Sequence, residues 1–140
     1  GEYVWWSNWF GQSISRANIR THAVEYFNAP LPNGSPYAMI ADRNGMLWVA
    51  FPNDDRVAKL DPATREWTVY NLPSHGTNTR FITVDDHKKS VEAWEASFMT
   101  SKVVRLQFRT KQQMQALADR TGGTKFTRGA HGKNGRAASK

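Results

Sequence analysis

Apolar and polar residues between positions 36 and 73 alternate in short runs, and turns rich in Asp, Asn, Gly and Pro separate those runs. Alternation with a period of two is typical of β-strands that bury one face. Gly45 in the first turn is suited to a left-handed backbone. The pattern predicts four consecutive strands, at residues 36–41, 46–51, 56–60 and 66–72.

This four-strand segment is the middle copy of three. At an offset of 43 residues, Trp5 corresponds to Trp48, and at an offset of 46 residues Trp48 corresponds to Trp94. Repeats of 40 to 50 residues that consist of short strands are typical of β-propeller blades. A blade cannot bury its own faces, so each repeat needs a neighbour. We therefore expect Trp48 and Trp94 at equivalent buried positions in adjacent blades.

The fold class predicted from these repeats is all-β, with four-stranded antiparallel β-propeller blades. The repeats cover residues 3–30, 36–73 and 79–110 approximately, and the outer two are incomplete, which gives about two and a half blades. Propellers close with about 4 to 8 blades, so a partial propeller is expected within residues 1–110. It is either the C-terminal part of a larger, processed propeller or a unit that another subunit completes.

Charge divides the chain into two parts. Residues 1–108 contain 11 basic and 11 acidic residues, whereas residues 109–140 contain eight basic residues and one acid. Residues 111–120 are predicted to form a short helix with Met114 and Leu117 on one side. The remainder of 111–140 is too polar and Gly-rich to build a core, which predicts a basic, largely irregular tail.

Composition excludes several classes of site. The chain has no cysteine, which excludes disulfides and thiolate metal sites and is compatible with a periplasmic or otherwise extracytoplasmic location. No apolar run approaches the length of a transmembrane helix. The four histidines show no metal-ligand spacing, and the Asp54-Asp55 pair lacks the rest of a calcium loop. We therefore expect no cofactor and no metal site, and turn residues at these aspartates.

Three stretches of the middle repeat carry a recognisable motif: PYAMIADRNGMLWVA at 36–50, RVAKLDPAT at 56–64 and VYNLP at 69–73. With them, residues 3 to about 110 resemble the streptogramin (virginiamycin B) lyase family of β-propellers. In that family a general base and a divalent metal act together. The resemblance implies a His after the inner-strand Pro and a Glu or His a few residues after the blade Trp.

Neither kind of catalytic position is matched in the visible repeats. Tyr37 and Arg80 occupy the two places on the inner strands, and Asn8, Phe51 and Ser97 lie three residues after the blade Trp. None of these is a Glu or His, and a Phe cannot bind Mg²⁺, which prefers carboxylate oxygen. No catalytic residue is therefore assigned, and enzyme activity would need residues in upstream blades.

The candidate partner-binding residues are tryptophans near the start and cations in the tail. Alternation places Trp5 and Trp9 on one face of the first strand and Trp6 on the other, with Trp5 expected in the core. Trp6 and Trp9 are either core residues or contacts for a partner. The tail is either solvated or bound to an anionic protein or lipid surface, through Arg120, Lys125, Arg128, Lys133, Arg136 and Lys140. No motif indicates sequence-specific nucleic-acid binding.

Two functions remain open from these residues. The first is a non-catalytic propeller scaffold, an accessory subunit that docks on a larger extracytoplasmic assembly, which can be membrane-associated. Its partners would be other protein subunits or the missing remainder of the propeller. The second is the C-terminal part of a metal-dependent streptogramin lyase-like or lactonase-like enzyme whose active residues lie upstream. Propellers host many functions, so the fold does not choose between them.

Overall fold

The computed structural model describes residues 1–121, which contain ten strands and one helix. The chain divides into two compact units, Gly1–Phe108 and Arg109–Lys140. The strands are β1 (Tyr3–Asn8), β2 (Ser13–Asn18), β3 (Val24–Asn28), β4 (Met39–Ala41), β5 (Leu47–Phe51), β6 (Arg56–Asp61), β7 (Glu66–Asn71), β8 (Thr79–Asp85), β9 (Glu92–Ser97) and β10 (Lys102–Leu106). The helix is α1 (Lys111–Thr121).

The strands form three antiparallel sheets, one for each repeat. We call them blade 1 (β1-β2-β3), blade 2 (β4-β5-β6-β7) and blade 3 (β8-β9-β10). Within each blade, neighbours in sequence are neighbours in the sheet, as in propeller blades. The predicted fold class of all-β propeller blades is therefore confirmed for the first unit.

Strand β4 is clearly shorter than the pattern predicted. The assigned strand β4 begins at Met39 rather than at residue 36, although Tyr37 N still donates to Ala50 O at 3.0 Å. A proline at position 36 cannot donate to a ladder, which limits pairing at that end. At the end of blade 3, β10 stops at Leu106, and the Phe108 ring packs 5.6 Å from the Trp48 ring.

Blade 1 packs against blade 2 through one face of each sheet. Ile14 and Phe27 of blade 1 share a buried cluster with Leu47, Val49 and Phe51 of blade 2. The cluster contains no charged side chain, so its stability comes from removing apolar surface from water. Neither sheet could bury these residues alone, because each face needs the other as its cover.

The opposite face of blade 2 packs against blade 3 in the same way. Trp48 and Val57 of blade 2 share a second cluster with Ile82, Val91 and Ala93 of the blade 3 repeat. Blade 2 therefore has one face toward blade 1 and the other toward blade 3. The three sheets form a stack of blades in sequence order.

Each blade carries a tryptophan opposite a cation on the face toward the following blade. The register pairs Trp5 with Arg16, Trp48 with Lys59 and Trp94 with Arg105. The cation lies 5.4, 5.6 and 5.4 Å from the ring centroid in blades 1, 2 and 3. Cation–π contacts at this distance are attractive, and the stem of the cation covers apolar surface.

Asp42 holds the Trp48 side chain and the preceding turn together. Its Oδ2 accepts a hydrogen bond of 2.9 Å from Trp48 Nε1, and its Oδ1 accepts bonds from the backbone N of Asn44 and Met46. Gly45 in this turn has φ +76°. Asp42 therefore caps a turn and orients the Trp48 indole in the interface between blades 2 and 3.

Trp48 and Trp94 occupy equivalent positions in the register of their blades, as expected. The expectation that both are buried is wrong. Trp48 is 1% exposed, because blade 3 and Phe108 cover it. Trp94 has the same place in blade 3 but is only half-buried. Within residues 1–121, no further blade covers this face of blade 3.

Helix α1 begins with a capping box. Thr110 N donates to Gln113 Oε1 at 2.8 Å, and Gln113 N donates to Thr110 Oγ1 at 3.2 Å. Reciprocal bonds of this kind satisfy two backbone donors at the helix start. No helix within residues 1–121 is long and apolar enough to cross a membrane.

Replacing Trp48 with Ala should lower the free energy of unfolding by about 3–5 kcal/mol, because it leaves a large cavity between blades 2 and 3. Trp94→Ala is the matched control at the equivalent but half-buried position, and it should cost clearly less. Urea denaturation of both variants measures the difference. Equal losses would contradict the assignment of Trp48 as the covered member of the pair.

A buried carboxylate organises the start of β9. Glu92 is buried and accepts hydrogen bonds from Arg105 Nε at 3.0 Å and from Lys88 Nζ at 3.1 Å. Lys88 also contacts Asp85 at 2.8 Å. The bonds from Arg105 and then Lys88 hold the pKa of Glu92 below its usual range, despite the opposing effect of burial.

Glu92 should therefore stabilise blade 3 at neutral pH and lose that effect in acid. Because its folded-state pKa is lowered, the contribution is complete above the ordinary glutamate range and disappears as pH falls through the folded value. We expect Glu92→Gln to lower stability at pH 7 and the deficit to shrink on acidification. Glu66→Gln, on an exposed carboxylate, is the control. A deficit that does not change with pH would show that Glu92 acts only through packing.

Candidate functional site

Three turns lie at one end of the stacked blades. The segments that join blade 1 to blade 2 and blade 2 to blade 3, which we call junctions, lie at the same end. The turns follow the first strand of blade 1 and the second strands of blades 2 and 3, at residues 9–12, 52–55 and 98–101. Each ends in a residue with left-handed backbone, at φ 50°, 51° and 52° for Gln12, Asp55 and Ser101. The junctions bind to these turns, since Ala29 N donates to Gln12 O and Leu72 N donates to Asp55 O. We call this part of the molecule the turn end.

A shallow cavity of about 200 Å³ opens at the turn end. Its lining comes from blades 1, 2 and 3 and consists of Trp9, Tyr37, Pro52, Asn78 and Arg80. The Trp9 and Tyr37 rings meet edge to face, with centroids 5.7 Å apart. The lining therefore holds two aromatic rings and one cation.

Two contacts and a bulge place Arg80 in this cavity. The pairing of β8 with β9 shifts register between Thr79 and Phe81. A bulge of this kind changes the direction of the side chain at the extra residue, which here is Arg80. Arg80 Nε donates to Asn78 Oδ1 at 2.8 Å, and the guanidinium lies 4.9 Å from the centroid of Phe98. These contacts fix the orientation of Arg80.

Asp55 anchors the junction that leads to Asn78 and Arg80. Its Oδ1 accepts bonds of 2.7 Å from both the backbone N and the Oγ1 of Thr77, and its Oδ2 accepts a bond from Gly76 N at 2.8 Å. Burial acts to raise the pKa of Asp55, but these bonds and the nearby His75 outweigh it and lower the pKa. The charged carboxylate therefore ties blade 2 to blade 3.

A buried polar chain continues inward from this anchor. Thr77 Oγ1 lies 3.3 Å from Thr79 Oγ1, which donates to Glu95 Oε2 at 2.8 Å. Ser97 Oγ donates to the other oxygen of Glu95 at 2.7 Å. All four residues are buried between blades 2 and 3. This series of hydrogen bonds fixes Thr79 of β8, the residue that precedes the bulge, and so supports the position of Arg80.

Only two of the five positions at which the lyase resemblance implies catalytic residues lie in the cavity. These are Tyr37 and Arg80. Phe51 is fully buried in the interface between blades 1 and 2. Ser97 is bound to Glu95, and Asn8 Nδ2 donates to the hydroxyls of two serines of β2. The structure does not bring the five positions together as one constellation.

The lining does not fit the divalent metal of the lyase resemblance. It contains no carboxylate and no histidine, and its charged member is Arg80, a cation. Mg²⁺ binds through oxygen ligands, usually including carboxylates. Within residues 1–121, no group of three His, Cys, Asp or Glu side chains could hold a metal ion. We therefore derive no metal-dependent step at this cavity.

The tryptophans proposed for partner binding lie on two different surfaces. Trp6 is half-buried on the face of blade 1 that points away from blade 2. Trp5, on the other face, packs against the core with its ring 5.5 Å from Phe27. The expectation that Trp9 shares the Trp5 face is wrong, because β1 ends at Asn8 and Trp9 belongs to the following turn.

The basic residues proposed for partner binding belong to the second unit. Arg120 is exposed in the last turn of α1. The other five lie outside the described residues: Lys125, Arg128, Lys133, Arg136 and Lys140.

Exposed apolar side chains lie in the cavity lining or next to its residues. Phe10, next to Trp9, is 96% exposed, and Tyr37, Phe98 and Met99 are also exposed. We call Trp9, Phe10, Tyr37, Phe98 and Met99 the aromatic end surface. The sequence pattern indicated Trp9 as a candidate partner contact but not Phe10, Phe98 or Met99, because these three lie in turns, where alternation carries no signal. The available signal was the unusual choice of large apolar residues at turn positions.

No family model matches the chain, and no curated protein matches it. Solved structures do match. A streptogramin B lyase structure is 19% identical with a TM-score of 0.60, over 78% of this chain and 38% of the lyase chain. The virginiamycin B lyase of Staphylococcus aureus gives 14% identity and the same TM-score, over 78% and 39% of the two chains.

A third similar structure is the extracellular domain of a protein assigned as a one-component system of B. thetaiotaomicron. It is 22% identical with a TM-score of 0.52, over 76% of this chain and 15% of that chain. The chain thus spans less than two fifths of the lyases that it matches. At these identities the likeness establishes the fold: residues 1–108 adopt part of the β-propeller fold seen in streptogramin B lyases.

Proposed function

We propose that this chain is a non-catalytic β-propeller scaffold, an accessory subunit that docks on a larger extracytoplasmic assembly. The observation that carries the proposal is the aromatic end surface around a cavity whose charged lining residue is Arg80. Contiguous exposed apolar side chains mark interaction sites on soluble proteins. Aromatic residues, Met and Arg are the residue types enriched at protein interfaces.

The geometry of the end surface suits a protein partner. Phe98 stacks under the guanidinium of Arg80, and Trp9 meets Tyr37 edge to face, so these four side chains already contact one another in pairs without a partner. Ordered aromatic groups lose little conformational freedom when a partner arrives. The partner that fits is an apolar protein segment with a carboxylate, which would meet Arg80 in the cavity.

The extracytoplasmic location is part of the proposal. The absence of cysteine is compatible with it, and one structurally similar protein is an extracellular domain. The basic tail adds a second contact, because residues 109–140 hold eight basic residues and one acid. In this proposal, Arg120 and the cations beyond it bind an anionic surface on the same assembly, with contacts that salt screens over about 8 Å at physiological ionic strength.

Site-specific photo-crosslinking tests the docking surface. A photoreactive residue in place of Phe10 or of Phe98 should capture the same partner protein in the cells that make this chain, because both positions lie on the aromatic end surface. Mass spectrometry of the crosslinked product identifies the partner. Ile19 is the matched control, since it is exposed but lies in the β2–β3 turn at the opposite end of blade 1.

Two results would contradict docking at this end. One is the absence of any crosslink from Phe10 and Phe98, and the other is the same products from Ile19. Deletion of residues 122–140 in the same assay tests the tail. The crosslink yield should fall most at low salt, where unscreened charges attract most strongly. An unchanged yield at every salt concentration would remove the tail from the proposal.

The alternative function is the C-terminal part of a metal-dependent streptogramin lyase-like or lactonase-like enzyme. The specific support is the likeness to lyase structures of which this chain spans only 38–39%. In this alternative the active residues lie in upstream blades, since the lining of the described cavity is unsuited to a divalent metal.

The isolated chain should not open the ring of a streptogramin B antibiotic in the presence of Mg²⁺, because the cavity offers Arg80 where a metal site would need carboxylates. Chromatography of the antibiotic after incubation measures this, with an authentic lyase as positive control. Ring opening that a chelator abolishes would overturn the non-catalytic proposal.

A further inference from the structure

Arg80 is the cation of the cavity lining, and only part of its guanidinium is bound within the chain. Its Nε donates to Asn78 Oδ1 at 2.8 Å, and one face lies 4.9 Å from the centroid of Phe98. None of the ion pairs formed within residues 1–121 includes Arg80. The two acids of the hydrogen-bonded series beside it, Asp55 and Glu95, bind hydroxyl and backbone donors instead. The two terminal nitrogens of Arg80 are thus left for an anion from outside the described residues.

The support beside Arg80 differs in chemistry from the same place in the preceding blade. Three buried polar residues of blade 3 have buried apolar counterparts in blade 2: Thr79, Glu95 and Ser97 correspond to Pro36, Val49 and Phe51. The blade fold is therefore satisfied by apolar residues at these positions. A buried carboxylate, even when hydrogen-bonded, adds little or no stability over apolar packing. The structural effect of the polar set is to fix Thr79, the residue before the bulge that carries Arg80.

The single cation and the apolar walls decide which anion fits the cavity. The lining places Arg80 beside Trp9, Tyr37 and Pro52. A phosphate ester carries about 1.5 to 2 negative charges at neutral pH and is usually recognised by several arginines. A carboxylate carries one charge, and its two oxygens match the planar fork of one guanidinium. The ligand chemistry that fits is therefore a carboxylate next to an apolar group.

The size of the cavity favours the end of a larger ligand. Its volume of about 200 Å³ is below the range of about 300–1,000 Å³ that is typical of pockets for whole small molecules. The last residue of a protein carries a carboxylate and a side chain on one Cα atom, so both can enter a small cavity together. An internal acidic residue brings a carboxylate without an apolar group of its own.

We propose that the cavity binds the C-terminal residue of the partner protein, with the free α-carboxylate on Arg80 and an apolar side chain against Trp9 and Tyr37. This inference rests on the docking function proposed above and names the part of the partner that enters the cavity. Capture of a terminal carboxylate is a recurring mode of peptide recognition. Glu95 is a positioning residue in this proposal, because it acts through Thr79.

Peptide titration of the full chain tests the proposal. The probe is a short acetylated peptide that ends in leucine with a free carboxylate, and its counterpart has an amidated end. Heteronuclear NMR follows the indole N–H signal of Trp9, identified by its absence in Trp9→Phe. The free acid should bind about 10-fold more tightly than the amide, because only the acid forms charge-assisted bonds with Arg80. An amidated peptide with an internal aspartate should bind no better than the simple amide.

Three variants assign the preference for the acid to particular residues. Arg80→Gln should abolish it, so that acid and amide bind equally. Arg56→Gln is the matched control, since Arg56 Nε also donates to an amide oxygen, at 3.0 Å from Asn71 Oδ1, but lies outside the lining. It should leave the preference unchanged. Glu95→Val, which introduces the residue type of the equivalent blade 2 position, should reduce the preference, whereas a purely structural defect would weaken acid and amide alike.

Four results would overturn the proposal: equal binding of acid and amide, no binding of the acid at millimolar concentration, a preference that survives in Arg80→Gln, and equally tight binding of the internal-aspartate peptide. A preference that Glu95→Val leaves unchanged would remove the positioning role. Arg80 is exposed, so Arg80→Gln keeps the test decisive even if Glu95→Val does not fold. A partner crosslinked from Phe10 and Phe98 without any preference for the acid would leave docking intact and reject terminal capture. A preference for the acid without a crosslink would do the reverse.

Discussion

The whole first unit depends on the burial of one blade face against the next. A twisted three- or four-stranded sheet has two apolar faces, and it can remove them from water only if another sheet covers each of them. Trp48 shows the result most clearly, because Asp42 orients its indole, Lys59 lies over its ring and blade 3 covers it. Trp5 and Trp94 repeat the contact between ring and cation with Arg16 and Arg105. The order of the blades in space then follows from their order along the chain.

The repeats are similar on their faces and different in their turns. At the turn end, the left-handed backbone is kept at Gln12, Asp55 and Ser101, but the side chains differ. Only Asp55 among them has a carboxylate, and it binds the junction that carries Arg80 into the cavity. Stability is thus a property of the repeated positions, whereas the chemistry of the site is a property of the positions at which the repeats diverge.

Two kinds of surface have separate consequences for function. The faces of blades 1 and 3 that point away from blade 2 repeat the positions of the covered blade faces. The aromatic end surface is formed by two turns and Tyr37, and in the proposed function a protein partner covers it. An aromatic and cationic lining with Arg80 in place of an acid favours recognition over metal-assisted chemistry at this end. The likeness to streptogramin B lyases concerns the scaffold that carries these surfaces.

The sequence by itself determined the repeat, the strand order and the fold class, because alternation and the recurrence of Trp5, Trp48 and Trp94 are local signals that do not depend on distant contacts. Only the tertiary structure decided which equivalent residues are covered, since blade 3 buries Trp48 whereas no further blade within residues 1–121 covers the half-buried Trp94. It also placed Trp9 in a turn rather than on the Trp5 face. The cavity required three blades at once, and no pattern along one strand could reveal it, because turns bring residues together without any periodicity.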